Sequence, residues 1–239
     1  MERCEPVASA EVERLKEAVM KHAIVGSDLY KATKPEELKR FLSYIAQEPP
    51  FDLVVDGLNI LYNNERYSTR RQRWDRMVAV LKAVRERGGW RRILLVGRVW
   101  DFQHLYARKY QPVLRAVQDI CKIYTVERSS RDDLFCVYAA LNSGPDCWLM
   151  SCDQLSSERQ LIADDEGSKG SNALLFSKWL RRRRFTNAWA PERGHFFLFS
   201  PGWKVKVHAD ENGWHFPFEG RQRPPKHTPA SHWLCIRKK

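Results

Sequence analysis

Between Phe51 and Leu180 the chain alternates short apolar runs with longer amphipathic stretches, and this rhythm constrains the fold more than any other feature. The apolar runs are Phe51–Val55, Arg92–Val96, Cys121–Val126 and Cys147–Met150. They have strand length, and their near-continuous apolar character suits strands buried on both faces. Helical spacing marks Ser68–Arg87, Leu105–Ile120, Leu134–Leu141 and Ala173–Leu180. The first of these puts Val78, Leu81 and Val84 on one face and stops at Gly88-Gly89, a C-terminal cap. Strand–helix alternation of this kind predicts an α/β fold, with a central parallel sheet between two helical layers.

The flanks read differently. Ala10–Met20 has helical spacing, and a second helix starts at Thr33-Lys34-Pro35, with Glu36 and Glu37 in its first turn. After Trp189 the segments His195–Ser200, Lys204–His208 and Trp214–Phe218 are short, separated by turn residues, and read as antiparallel strands. The pattern gives an α/β domain over roughly Pro50–Asn187, with both ends flanking it and expected to pack together as a second small module.

Composition excludes several classes. With 43% hydrophobic and 12% aromatic residues in 239, the chain has material for a core and is not a disordered polymer. No run approaches the roughly 20 apolar residues of a membrane helix. The first residues lack the pattern of a signal or transit peptide. Of six cysteines, four lie in or beside apolar runs, which fits buried thiols in a reducing compartment rather than a disulfide framework. A net charge of +12 points to a polyanionic partner, most often nucleic acid. Arg70, Arg71 and the run Arg181, Arg182, Arg183, Arg184 are the candidate backbone contacts.

The acids carry the chemistry. Asp56 ends the first apolar run, Asp132 and Asp133 follow the third, and Asp153 follows the fourth. The carboxyl ends of parallel strands share one edge, where ligands bind. Clustered carboxylates repel unless a cation neutralises them, and hard oxygen donors select Mg²⁺ or Mn²⁺. One or two such ions activate water and clamp a phosphate. Asn59 adds a polar group at the same edge, and Gly57 is expected to permit a tight turn after Asp56.

The series PFDLVVDGLNI, RSSRDDLFCVYAALNSG, CWLMSCDQL, GWHFPF and HWLCI resembles the metallonuclease region of protein-only RNase P, in that family's order. The resemblance runs from about Thr33 to the C-terminus and implies a three-layer NYN/PIN-like nuclease domain over 33–190, with 1–32 and 191–239 joining in a small β-rich zinc-binding module. It implies an endoribonuclease that removes the 5′ leader of precursor tRNA by attack of a metal-activated water, leaving a 5′-phosphate. Asp56, Asp132, Asp133 and Asp153 match the family's four metal-binding aspartates, with Asn59 in support. The family also has a structural zinc site built from both ends of this region. Cys4, His215 and Cys235 match three of its ligands, and Met1 stands where the fourth, a cysteine, is expected. Ser156, Ser157 and Glu158 replace the family's frequent Arg-Asp-His. The family's N-terminal pentatricopeptide repeats, which grip tRNA, have no counterpart in these 239 residues. A mitochondrial location follows from the resemblance, with a nuclear one as alternative, and animal mitochondrial members work with a methyltransferase–dehydrogenase subcomplex. The competing readings are a less specific single-strand ribonuclease of the same fold and a catalytically inactive RNA-binding scaffold.

Overall fold

The structure is a computed structural model describing residues 7–21, 33–62, 69–127, 131–163, 171–190, 194–199, 208–209, 213–218 and 232–237. Helices α1 (Ser9–Ala18) and α2 (Pro35–Gln47) come first, α2 with Pro35 at its start and Glu36 and Glu37 in its first turn. Strand β1 (Leu53–Asp56) runs directly into α3 (Gly57–Tyr62), followed by α4 (Arg70–Gly88). Strand β2 (Ile93–Arg98) leads into the short α5 (Val99–Phe102) and two 3-10 turns, then α6 (Gln111–Gln118) and β3 (Lys122–Val126). Next come α7 (Asp132–Asn142), β4 (Trp148–Met150), α8 (Ser156–Ala163), α9 (Ser171–Arg183), β5 (Arg184–Ala190) and β6 (Gly194–Phe199). Short strands β7 (His208–Ala209), β8 (Gly213–Phe218) and β9 (His232–Arg237) close the order.

Six strands form one sheet in the order β3-β2-β1-β4-β5-β6. The first five are parallel, and β6 pairs antiparallel with β5. Strand alternation divides the core in two. Val54, Leu94, Val96 and Leu149 join one apolar cluster with α1, α2, α7 and α9. Leu53, Val55, Ile93, Leu95 and Met150 join a second with α4 and α6. Each face of the sheet is therefore covered by its own helical layer, as the continuous apolar runs required.

Local chemistry explains the element ends. The Thr69 hydroxyl accepts from the Gln72 amide while the Gln72 side chain accepts from the Thr69 amide, a reciprocal cap that starts α4. Gly89, at φ 73°, ends it in the left-handed conformation.

Three features depart from the sequence reading. Strand β5 is an additional parallel strand where only the end of a helix and an arginine run were expected. It puts Phe185 in the core, stacked 4.9 Å from Trp90. Strand β6, expected only as an antiparallel segment of the C-terminal part, extends this large sheet. Leu105–Ile120 is not one helix but a 3-10 turn, a second turn over Arg108–Tyr110, and α6, which starts beside Pro112. Packing crosses both expected boundaries: α1 sits in the core against α7 and α9, and β6 pairs with β5. The small sheet β7-β8-β9 is separate. Of the expected strand Lys204–His208, positions 204–207 lie outside the described residues. No helix among the described residues is long and apolar enough to cross a membrane.

Candidate metal centre

Strand order reverses between β1 and β4: the chain moves out from β1 through β2 to β3, then returns to β4 on the other side. The crevice outside the carboxyl ends at such a point is where open α/β sheets bind ligands. Asp56 is the last residue of β1, and Asp132 and Asp133 form the first turn of α7. Carboxylate oxygens of these three lie within 4.8 Å of one another, the one such group of potential metal ligands found among the described residues. Asp153, exposed on the turn after β4, lines the same cavity of about 410 Å³ with Asn59, Arg98, Asp132 and Asp133. Three of the four expected acids thus meet, and the fourth stands at the rim.

The surrounding polar groups hold the cluster in place. Asp56 is 1% exposed. Its carboxylate accepts from the Asn59 amide at 3.1 Å, from the Asn59 side chain, and from the Ser151 hydroxyl at 3.1 Å. The Asn59 carbonyl oxygen in turn accepts from the Cys152 amide at 3.1 Å, tying β1 to the turn after β4. The Ser151 hydroxyl also accepts from the Asp153 amide. Asp132 is 3% exposed, and its carboxylate takes two hydrogen bonds from the Arg98 guanidinium, at 2.9 and 2.6 Å. Glu158, which stands in the replaced Arg-Asp-His segment, is buried and 4.0 Å from Arg131.

Burial drives Asp56 up to about 6, despite its hydrogen bonds. Burial also pushes Asp133 up to about 8, helped by the charges of Asp56, Asp132, Glu158 and Asp153. Carboxyls this far above their ordinary range are ones whose charge lacks a counter-ion. Oxygen donors packed this closely fit a hard divalent cation.

Sequence reasoning missed Ser151 and Arg98. Both stand at the carboxyl end of a parallel strand, the position that singled out the aspartates, but neither is a metal ligand type that draws attention. Gly57 is needed for a different reason than expected. Its φ is not positive; a Cβ there would come within 2.8 Å of the Val96 carbonyl oxygen and 2.9 Å of the Phe102 ring. The glycine lets α3 approach β2, not the chain turn.

The arginine candidates separate. Arg70 and Arg71 are exposed at the start of α4, Arg71 paired with Asp75 at 3.0 Å. Arg181 and Arg182 are half-buried in the last turn of α9. Arg183 bonds Asp146 at 2.6 Å and covers the Trp148 ring at 5.5 Å, while Arg184 donates to the Asp153 carbonyl. The last two are engaged within the fold. Of the expected zinc ligands, Cys4 lies outside the described residues. His215 and Cys235 are direct partners in the β8–β9 ladder, and His208 pairs with His215 on the other side, so the three positions form one row across the small sheet. Cys235 is exposed.

Fold and site together define a doubly wound α/β protein with a cluster of three aspartates at its switch point that could hold a metal ion. The chain belongs to the protein-only RNase P family, whose model matches residues 3–235. It is 28% identical over 237 residues to the mitochondrial ribonuclease P catalytic subunit of Mus musculus, a match over 96% of this chain and 38% of that protein. The Rattus norvegicus protein of the same name is 27% identical, over 96% and 37%. The chain therefore spans less than half the length of these relatives. Nuclear protein-only RNase P 2 of Arabidopsis thaliana has the same fold, with a TM-score of 0.60 at 18% identity over 99% of this chain and 45% of that one.

Proposed function

We propose that this chain is the catalytic region of a metal-dependent endoribonuclease that removes the 5′ leader of precursor tRNA, on an NYN/PIN-like fold. The observation that carries the reading is the meeting of Asp56, Asp132 and Asp133 at the switch point, in a chain of this family. The rodent relatives are mitochondrial ribonuclease P catalytic subunits by name, which supports a mitochondrial location and a ribonuclease P activity.

Asp56, Asp132 and Asp133 would hold one or two Mg²⁺ or Mn²⁺ ions, with Asp153 reaching in from the rim. A bound ion supplies Lewis acidity at a phosphoryl oxygen and makes water acidic enough to react near neutrality. The protein's part is orientation. Asn59 and Ser151 fix both oxygens of Asp56, so the donor set is assembled before a cation arrives. Burial and the neighbouring carboxylates favour a proton on Asp133, and a cation held by the cluster would offset that charge and favour its carboxylate form. Arg98 sets a positive group beside the acids, where it offsets charge at Asp132 and faces an incoming phosphate. Hydrolysis adds water across the bond from phosphorus to the leader's 3′ oxygen, leaving a 3′-hydroxyl on the leader and a 5′-phosphate on the tRNA. A structural zinc site at Cys4, His215 and Cys235 is supported by the adjacency of the last two in the ladder.

The test is cleavage of 5′-labelled precursor tRNA in Mg²⁺ at high enzyme concentration, with Asp133→Asn alongside. A single cut at the mature 5′ end, lost in the variant, is the expected result. Scattered cuts lost in the variant would instead identify a general single-strand ribonuclease. No cutting, even with the helical-repeat region of a relative or a methyltransferase–dehydrogenase subcomplex added in trans, would leave an RNA-binding scaffold.

A further inference from the structure

The segment after β2 presents rings to solvent that the core does not use. Phe102 and Leu105 anchor it, each 1% exposed or less, while Trp100 between β2 and that anchor is 61% exposed. From α3, Tyr62 is 53% exposed. The Trp100 ring stands edge-on to His104 at 6.5 Å, and the Arg73 guanidinium lies over the Tyr62 ring at 4.8 Å. The Tyr62 hydroxyl donates to Asp101, which fixes the ring. Trp100, Tyr62, His104, Arg70 and Arg73 line one cleft. Tyr62 is also a wall of the acid-bearing cavity, beside Arg98. The cleft and the acid-bearing cavity thus share Tyr62 as a wall.

Exposed rings next to guanidinium groups match the two halves of a nucleotide. A base stacks on an aromatic face whatever its sequence, and the phosphate beside it takes the cation. A purely apolar partner would not use the arginines, and a bare anion would not use the rings. We propose that Trp100, with Tyr62 and Arg73, is a stacking platform for an unpaired RNA nucleotide adjoining the phosphodiester held at the carboxylates. This rests on the ribonuclease reading above. It assigns Trp100 to substrate positioning: a base held there fixes the register of the strand against Asp56, Asp132 and Asp133. Trp100 contributes nothing to the core, so its removal tests the surface alone.

Binding and cleavage are measured separately so that the two readings fail independently. An eight-nucleotide single-stranded RNA carrying a fluorophore is titrated with the 239-residue chain in chelator, where no cleavage occurs, using fluorescence anisotropy. Trp100→Ala is expected to weaken binding roughly 5- to 100-fold, the range for loss of one stacked base, with unchanged melting temperature. Trp100→Phe is expected to recover most of that affinity. Arg73→Ala is expected to flatten the salt dependence of log Kd by about one ion, whereas Trp100→Ala leaves that slope as it is. Equal affinity of Trp100→Ala and wild type overturns the platform, as does a loss in Trp100→Phe as large as in Trp100→Ala. If Trp100→Ala weakens RNA binding but wild type does not cut precursor tRNA, the platform stands and the tRNA assignment fails. If wild type cuts at the mature 5′ end and Trp100→Ala binds as wild type, the reverse holds.

Discussion

At the scale of single residues, the centre is a site of stored repulsion. Asp133 titrates near 8 in the folded chain and near its ordinary value when unfolded, so the folded state binds its proton more tightly. Its contribution to stability is therefore largest in acid and is lost as pH rises from about 4 through about 8. In chelator at pH 8, Asp133→Asn is expected to be more stable than wild type, on the order of 2 kcal/mol once solvent screening is allowed for. Saturating Mg²⁺ should remove or reverse that gap by binding wild type preferentially. Thermal melts of both proteins from pH 5 to 8 check this, and a wild type as stable as the variant throughout would rule it out. The aspartates were legible in the sequence because each follows a strand-like run. Their orienting groups were not, apart from Asn59. A serine after β4 and an arginine ending β2 are ordinary residues until the sheet order makes their neighbours known.

At the scale of elements, the junction of β1 and α3 matters most. The strand delivers Asp56 and, without a connecting loop, becomes the helix that carries Asn59 and Tyr62. Only a residue without a side chain at position 57 allows that helix to lie against the Val96 carbonyl. Gly57→Ala is expected to cost about 1–3 kcal/mol through overpacking, lowering the melting temperature by roughly 2–4 °C per kcal/mol, and to reduce cleavage as well. A variant melting as wild type would show that β2 yields at no cost. The sequence announced the glycine but not its purpose, because a close approach between elements distant in the chain leaves no local pattern. Strand β5 escaped for a related reason. Its Arg184, Thr186 and Asn187 break the apolar rhythm, and its partner β4 is only three residues long, so pairing rather than composition makes it a strand.

At the scale of the whole molecule, the alternation of runs was enough to specify a parallel sheet with two helical layers. What it could not specify was how the C-terminal segments divide, with β6 joining the large sheet and β7, β8 and β9 forming their own. The register of His215 opposite Cys235 bears on the proposed zinc site. Purified protein is expected to hold about one equivalent of zinc by elemental analysis and to lose stability in a strong chelator. Less than about 0.2 equivalents, with melting unaffected by chelator, would reject the site. The doubly wound order has a temporal meaning too. The three clustered carboxylates come from positions 56, 132 and 133, and the hydroxyl that steadies one of them from position 151. Segments separated by nearly a hundred residues must be in register before the first cation can be held, and such distant pairings form late. A chain still emerging from the ribosome, with β4 not yet made, lacks the hydroxyl that steadies Asp56. Assembly of the acidic cluster is in this way deferred until the sheet is complete.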